Sequence, residues 1–114
     1  MWNIEYYQSE SGKVPVAEFI DSLDAKSRAK IARILDLLEE FGIDLGMPYA
    51  RHLEKHLWEL KIRQARNRYR IIYFLATGET FVLLHGFTKK TGAVPRADIE
   101  MAEYRRNDYL SRRR

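Results

Sequence analysis

Cysteine is absent from the 114 residues, which excludes disulfide frameworks, thiolate metal sites and thiol nucleophiles. A reducing cytoplasm fits that composition, and a cytoplasmic location is the expectation. Long apolar runs are missing too. None approaches the roughly 20 residues that a bilayer-spanning helix needs, so no membrane partner is expected. The opening "MWNIEYYQSE" has no basic region followed by an apolar core and does not read as a secretory leader. Glycine (six) and proline (three) are scarce and scattered, leaving no linker, repeat or second boundary. A single domain over residues 1–114 with one modest core is expected.

What the chain does have is apolar and charged residues in globular proportions, 46% and 32%. The net charge is +4, and its distribution says more than its size. Residues 1–50 carry 5 Lys/Arg against 9 Asp/Glu, a net of −4, and residues 51–114 carry 15 against 7, a net of +8. A basic C-terminal half is either a solvated surface or a face for a polyanion.

Periodicity then divides the chain. "WNIEYY" alternates Trp2, Ile4 and Tyr6 with polar residues and reads as a strand. Pro15 is placed to open a short helix with Val16, Phe19, Ile20 and Leu23 on one face. Asp24 is a suitable N-cap for a longer helix, in which Ile31, Ile34, Leu35, Leu38 and Phe41 recur at helical spacing until Gly42 stops it. "DLGMPYA" is a loop by composition. From about residue 50 the rhythm becomes extended: "LWELKIR" alternates strictly, and "YRIIYFLA" and "TFVLLHGF" are joined by the turn "TGET". Pro95 opens a terminal helix that runs to "SRRR". The order β-α-α-β-β-β-α predicts an α+β domain, an antiparallel sheet with the two N-terminal helices packed on one face and a C-terminal helix.

The alternation also sorts charge. With Trp58, Leu60 and Ile62 under the helices, Glu59, Lys61 and Arg63 stand on the opposite, open face. The next strand puts Arg68 and Arg70 in phase with Ile72 and Phe74, so Arg70 is a candidate cross-strand neighbour of Lys61 or Arg63. Facing like charges are destabilising, and only Glu59 and Glu54 are close enough in sequence to offset them. Arginine interrupting a core-like strand makes sense if the missing counter-charge is a phosphate, which a guanidinium holds bidentately. His85 and Phe87, in phase with Leu83 or Phe81, end the last strand, and Lys89 and Lys90 follow. Aromatics beside cations form the stacking-and-phosphate pattern of single-stranded RNA binding. Taken alone, His85 reads as a half-buried hydrogen-bonded histidine and the two lysines as a solvated turn.

Other motifs fail on spacing. In "HLEKH" the glutamate is in the third position, not the second, of the zinc-peptidase pattern, and no metal site or cofactor is expected. "KKTG" lacks the preceding glycines of a phosphate loop, and Ser9, Ser11, Ser22 and Ser27 have no nucleophile elbow.

"LWELKIR", "YRIIYF", "FVLLHGFTKKTG…P" and "DIEMAEYRRNDYL", in that order, resemble the phage-derived HigB-type branch of the RelE/ParE toxin superfamily across nearly the whole chain. The resemblance implies a RelE-like fold and the toxin of a type II toxin–antitoxin pair, whose partner is a helix-turn-helix antitoxin. It implies an endoribonuclease that cuts mRNA on the ribosome without a metal, by attack of the ribose 2′-hydroxyl on the adjacent phosphate. Carried onto this chain, the catalytic residues are Arg70, Lys61, Lys89 and Lys90, with Arg63, Arg68, His85 and Phe87 binding RNA. Two departures stand out. Ala93 and Val94 occupy the place of a Lys–Thr pair, and the position of a proton-transferring C-terminal tyrosine in some relatives falls near Arg96, while Tyr104 and Tyr109 are helical. The same superfamily leaves two alternatives, a ParE-like inhibitor of DNA gyrase and a non-catalytic RNA-binding module.

Overall fold

The β-branched and aromatic runs pair into one five-stranded sheet in the computed structural model, which describes residues 1–113. In chain order the elements are β1 (Asn3–Tyr6), α1 (Pro15–Asp21), α2 (Ala25–Phe41), a 3₁₀ turn (Gly42–Asp44), β2 (Ala50–Glu54), β3 (Leu57–Gln64), β4 (Asn67–Thr77), β5 (Thr80–Thr88) and α3 (Arg96–Arg112). The expected helical end at "SRRR" is described as far as Arg113, and Arg114 lies outside the described residues.

The α+β class is as expected, and the sheet differs in two respects. Its spatial order is β1-β5-β4-β3-β2, with β1 parallel to β5 and every other pairing antiparallel. The sheet is therefore mixed. Alternation in "WNIEYY" encodes a buried face but not the direction of the neighbouring strand, which the long crossover decides. The additional strand, β2, is only five residues long, and its pairing with β3 shifts register between His52 and Glu54. An interrupted alternation that short leaves almost no periodic signal.

Alternating side chains build two cores on the two faces of the sheet. Leu60, Ile62, Tyr69, Ile71, Tyr73 and Leu83 point to one face and pack against Val16 of α1 and Ile31, Ile34 and Leu38 of α2. Asp24 caps α2 as expected, its carboxylate accepting from the Ser27 N–H at 3.1 Å. Two residues assigned to this layer by periodicity stand partly outside it. Trp58 and Phe41 are 38% and 45% exposed; α2 ends at Phe41, and the 3₁₀ turn that follows lines an apolar depression together with Trp58. On the other face Leu57, Ile72, Phe74, Val82 and Leu84 meet Val94 and the Ile99, Ala102 and Tyr109 stripe of α3. The face expected to be open is thus half roofed. α3 lies over β4 and β5 and is tied to β1 and the residue after it by Tyr109 Oη donating to Glu5 at 3.0 Å and Tyr7 Oη donating to Asp108 at 2.5 Å. Above β2 and β3 this face is left for charged side chains.

A β-bulge decides where the last strand's aromatics point. Tyr73 pairs with Leu83 but Ile72 pairs with His85, so Leu84 is an extra residue. Leu84 and His85 consequently both face α3, and the phase of Phe81 and Leu83 is not carried through to His85 and Phe87. The expectation that those two side chains continue the Leu83 row is corrected: they share the face of Arg70. Gly86, now turned toward α1, leaves room for the Phe19 ring; an added Cβ would lie 2.6 Å from it.

Candidate nucleic-acid interface

Strand register brings the predicted cations together. Lys61 lies directly across from Arg70, and Arg63 across from Arg68. Arg70 is in turn opposite Phe87, and the Lys89 N–H donates to the Arg68 carbonyl at 2.8 Å, extending the ladder one residue past β5. Lys61, Arg63, Arg68 and Arg70 line a shallow depression of about 300 Å³, with Pro48 at its edge.

The cluster has an internal counter-charge. Glu59, fully buried on the same face, accepts from Arg70 Nε at 3.0 Å and from Arg51 Nε at 3.3 Å. Like-charge repulsion between Lys61 and Arg70 is therefore offset from within the sheet. Glu54, the other candidate, belongs elsewhere: both its oxygens accept from Arg96 at 2.9 Å, bracing β2 against the start of α3. The second carboxylate oxygen of Glu59, Oε2, is buried and has no hydrogen-bond partner among the described residues.

Arg70 is only 7% exposed. Burial lowers its pKa from the ordinary arginine value and Glu59 opposes that shift. Its Nη1 donates to the Tyr69 carbonyl at 3.2 Å, so Glu59 and the backbone fix the guanidinium plane. Arg68 is held as well, donating from Nη2 to the Lys90 carbonyl. The Lys89 ammonium donates to the Gly92 carbonyl. Its pKa is lowered by partial desolvation and then by the Arg70 and Arg68 guanidiniums. Lys90 is exposed and enters the arrangement through its backbone carbonyl.

His85 has a different place. Its Nε2 lies 2.7 Å from Asp98 Oδ1, and its Nδ1 lies 3.1 Å from Arg105 Nη1. Arginine only donates, so Nδ1 must be the acceptor and Nε2 carries the proton that Asp98 accepts. Both ring nitrogens are thereby committed to α3, and Phe87 stacks on the ring at 5.6 Å and 22°. Burial lowers the His85 pKa below 6.5, aided by Arg105 and opposed by Asp98. In the window below 6.5 the unfolded chain binds a proton that the folded protein refuses, so this residue makes stability decline as pH falls through it. Urea midpoints measured from about pH 8 to about pH 5 should fall, and His85→Phe, which takes no proton, should flatten the decline. An unchanged slope in that variant would remove His85 as its source.

A model of the family "Phage derived protein Gp49-like (DUF891)" matches residues 18–107, from α1 to the last turns of α3. The chain belongs to the Gp49-like family. This is a phage-derived family of the RelE/HigB-type toxin group. No curated protein matches the chain. No helix among the described residues is long and apolar enough to cross a membrane.

In this Gp49-like chain, sequence reasoning missed Arg51. It stands beside Glu59 in the short strand β2, and without that strand nothing in "YARHLEKH" assigned it a face. It also missed Asp98 and Arg105, which approach His85 from α3 only once the bulge has turned the imidazole over. The departure at Ala93 and Val94 has a packing reason for Val94, which is buried under α3 and anchors the loop that carries Lys89 and Lys90.

Proposed function

We propose that this Gp49-like protein is the toxin of a type II toxin–antitoxin pair and acts as an endoribonuclease on mRNA at the ribosome, without a metal. The observation that carries the reading is the buried, pre-oriented Arg70, flanked across the strands by Lys61 and Phe87. A guanidinium locked by Glu59 and by a backbone carbonyl needs no reorganisation to meet charge developing on a phosphorane, which is where fixed donors contribute most.

In the proposed reaction the ribose 2′-hydroxyl gives up its proton to solvent water as its oxygen attacks the adjacent phosphorus, the bond from phosphorus to the 5′-oxygen breaks, and a 2′,3′-cyclic phosphate and a 5′-hydroxyl result. Arg70 and Lys61 hold the non-bridging oxygens. Lys89, whose ammonium is more acidic than an ordinary lysine because of desolvation and its arginine neighbours, supplies the proton to the departing 5′-oxygen. Lys90 and Arg63 add positive potential at the rim, and His85 supports Phe87. The antitoxin, a helix-turn-helix protein in this reading, neutralises the basic face by covering it.

Mapping RNA 5′ ends after induction is the direct test. New 5′-hydroxyl ends in mRNA support cleavage. Growth arrest with intact mRNA and damaged DNA would instead identify a gyrase inhibitor, and neither effect would leave a non-catalytic binder. Lys89 makes a further prediction for cleavage in vitro. If its ammonium is the acid, activity should fall as pH rises through a value below the ordinary lysine 10.5. Lys89→Gln should abolish that alkaline limb together with most of the rate. A limb that persists in the variant would move the proton donor elsewhere.

A further inference from the structure

A second surface is left uncovered at the other end of β3 from Arg63, on the side of the sheet that carries α2. There the 3₁₀ turn after α2 and strands β3, β4 and β5 enclose an apolar depression of about 160 Å³, lined by Ile43, Leu45, Trp58, Tyr73, Leu75 and Phe81. Ile43 is 65% exposed, and Trp58 and Leu75 are open to solvent as well. The walls are held firmly. Trp2 packs on Phe81 at 5.2 Å, its N–H donates to the Glu39 carbonyl at 3.0 Å, and any Cβ at Gly42 would overlap its indole. An apolar cavity of about 150 Å³ holds a benzene, so this one has room for a single aromatic or branched side chain.

The charge around the depression is of one sign, and the fold does not neutralise it. Asp36 and Glu40 are exposed one turn apart on α2, Glu39 and Glu40 lie in its last turn, which has no basic residue, and Asp44 follows in the 3₁₀ turn. Glu79 is exposed in the turn from β4 to β5, its carbonyl accepting from the Asn3 N–H at 2.7 Å. Like charges at i, i+4 repel, and carboxylates at a helix C-terminus face the negative end of its dipole. None of these five residues forms an ion pair among the described residues. No three acidic or histidine side chains among the described residues come close enough together to hold a metal ion. The missing counter-charge must therefore be spread out, as the lysines and arginines of a polypeptide are. A nucleic acid is repelled here, and a second copy docking through the same patch would set its own carboxylates against these.

We infer that this end of the sheet docks a cationic amphipathic segment of a second protein. One apolar side chain of that segment fills the depression between Ile43, Trp58 and Leu75, and lysines or arginines beside it meet Glu40, Asp44 and Glu79. Trp58 and Lys61 point to opposite sides of β3, so this docking does not depend on what the basic face binds and both surfaces can be occupied at once.

The probe is a short blocked peptide with leucines at i, i+3, i+4 and i+7 and lysines elsewhere, compared with a counterpart that has glutamate for every lysine. Each is titrated into the isotope-labelled full-length protein, with two-dimensional NMR locating the contact and tryptophan fluorescence measuring affinity. The lysine peptide should shift the amides of Gly42, Ile43 and Leu75 and bind about 10-fold tighter than the glutamate peptide, a difference that shrinks as salt rises. Ile43→Ser, at an exposed position, should leave folding intact and weaken binding by about 5-fold or more. Glu40→Lys/Asp44→Lys should reverse the preference between the peptides and raise the urea midpoint, because it removes carboxylates from the negative end of α2. Docking here is overturned if the two peptides bind alike, if neither binds, if the shifts fall on the other face of the sheet, or if Ile43→Ser binds as tightly as the wild type. A wild-type dimer that Ile43→Ser converts to monomer overturns it too, since a second copy would then be the occupant. So does a double variant less stable than the wild type, which would mean that the fold itself neutralises these carboxylates.

Discussion

Arg70→Lys should slow RNA cleavage by about 10²- to 10³-fold, the loss expected when one pre-oriented donor to a developing oxyanion is removed, and should relieve growth arrest on induction. Lysine keeps a positive charge beside Glu59, so the buried carboxylate is not left alone. It does not keep the planar fork that grips two phosphate oxygens while still bonded to Glu59 and to the Tyr69 carbonyl. The effect should therefore fall on catalysis with little change in thermal unfolding. A folded Arg70→Lys protein with full activity would remove Arg70 from the proposed site.

The second large effect concerns stability. Glu59→Ala leaves Arg70 buried with no carboxylate and Arg51 without its partner, and should cost about 3–5 kcal/mol, as when one member of a buried ion pair is deleted. Chemical denaturation at neutral pH measures it directly. Replacing both members with apolar residues of similar volume, Glu59→Leu with Arg70→Met, should recover most of that loss, because neither charge then needs to be desolvated. The double variant should nonetheless be inactive. Stability restored without activity would mean that the pair is retained for its charge arrangement and not for the fold. If Glu59→Ala is as stable as the wild type, Glu59 does not hold Arg70 in place.

These two experiments bear on one arrangement from opposite sides. Glu59 makes it possible for three cations, Arg51, Lys61 and Arg70, to stand on neighbouring strands with one of them buried. Because Glu59 spends one oxygen on both arginines, it orients Arg70 without covering all of its donors: a guanidinium has five N–H groups, and one binds Glu59 and one the Tyr69 carbonyl. The remainder can receive a ligand.

Much of this was legible in residue order. Strict alternation in "LWELKIR" and "NRYRIIYF" put Lys61, Arg63, Arg68 and Arg70 on one face, because side chains of a strand can point only two ways. The N-cap at Asp24, the turn at Gly78 and the helix start after Pro95 are local backbone preferences and lie where they were expected. Relations between distant segments had no such local code. The parallel pairing of β1 with β5, the short edge strand that carries Arg51, and the roof that α3 makes over half of the supposedly open face each depend on which elements meet. The bulge at Leu84 is the sharpest case, since one extra residue reverses the facing of everything after it. It brings Phe87 beside Arg70 and delivers His85 to Asp98 and Arg105. The sequence by itself determined that a row of cations would share a sheet face, because period-two alternation is a property of the chain. Only the tertiary structure decided that the row has a buried carboxylate at one side and an aromatic at its end, because cross-strand register and the packing of α3 are set by contacts between residues far apart in the chain.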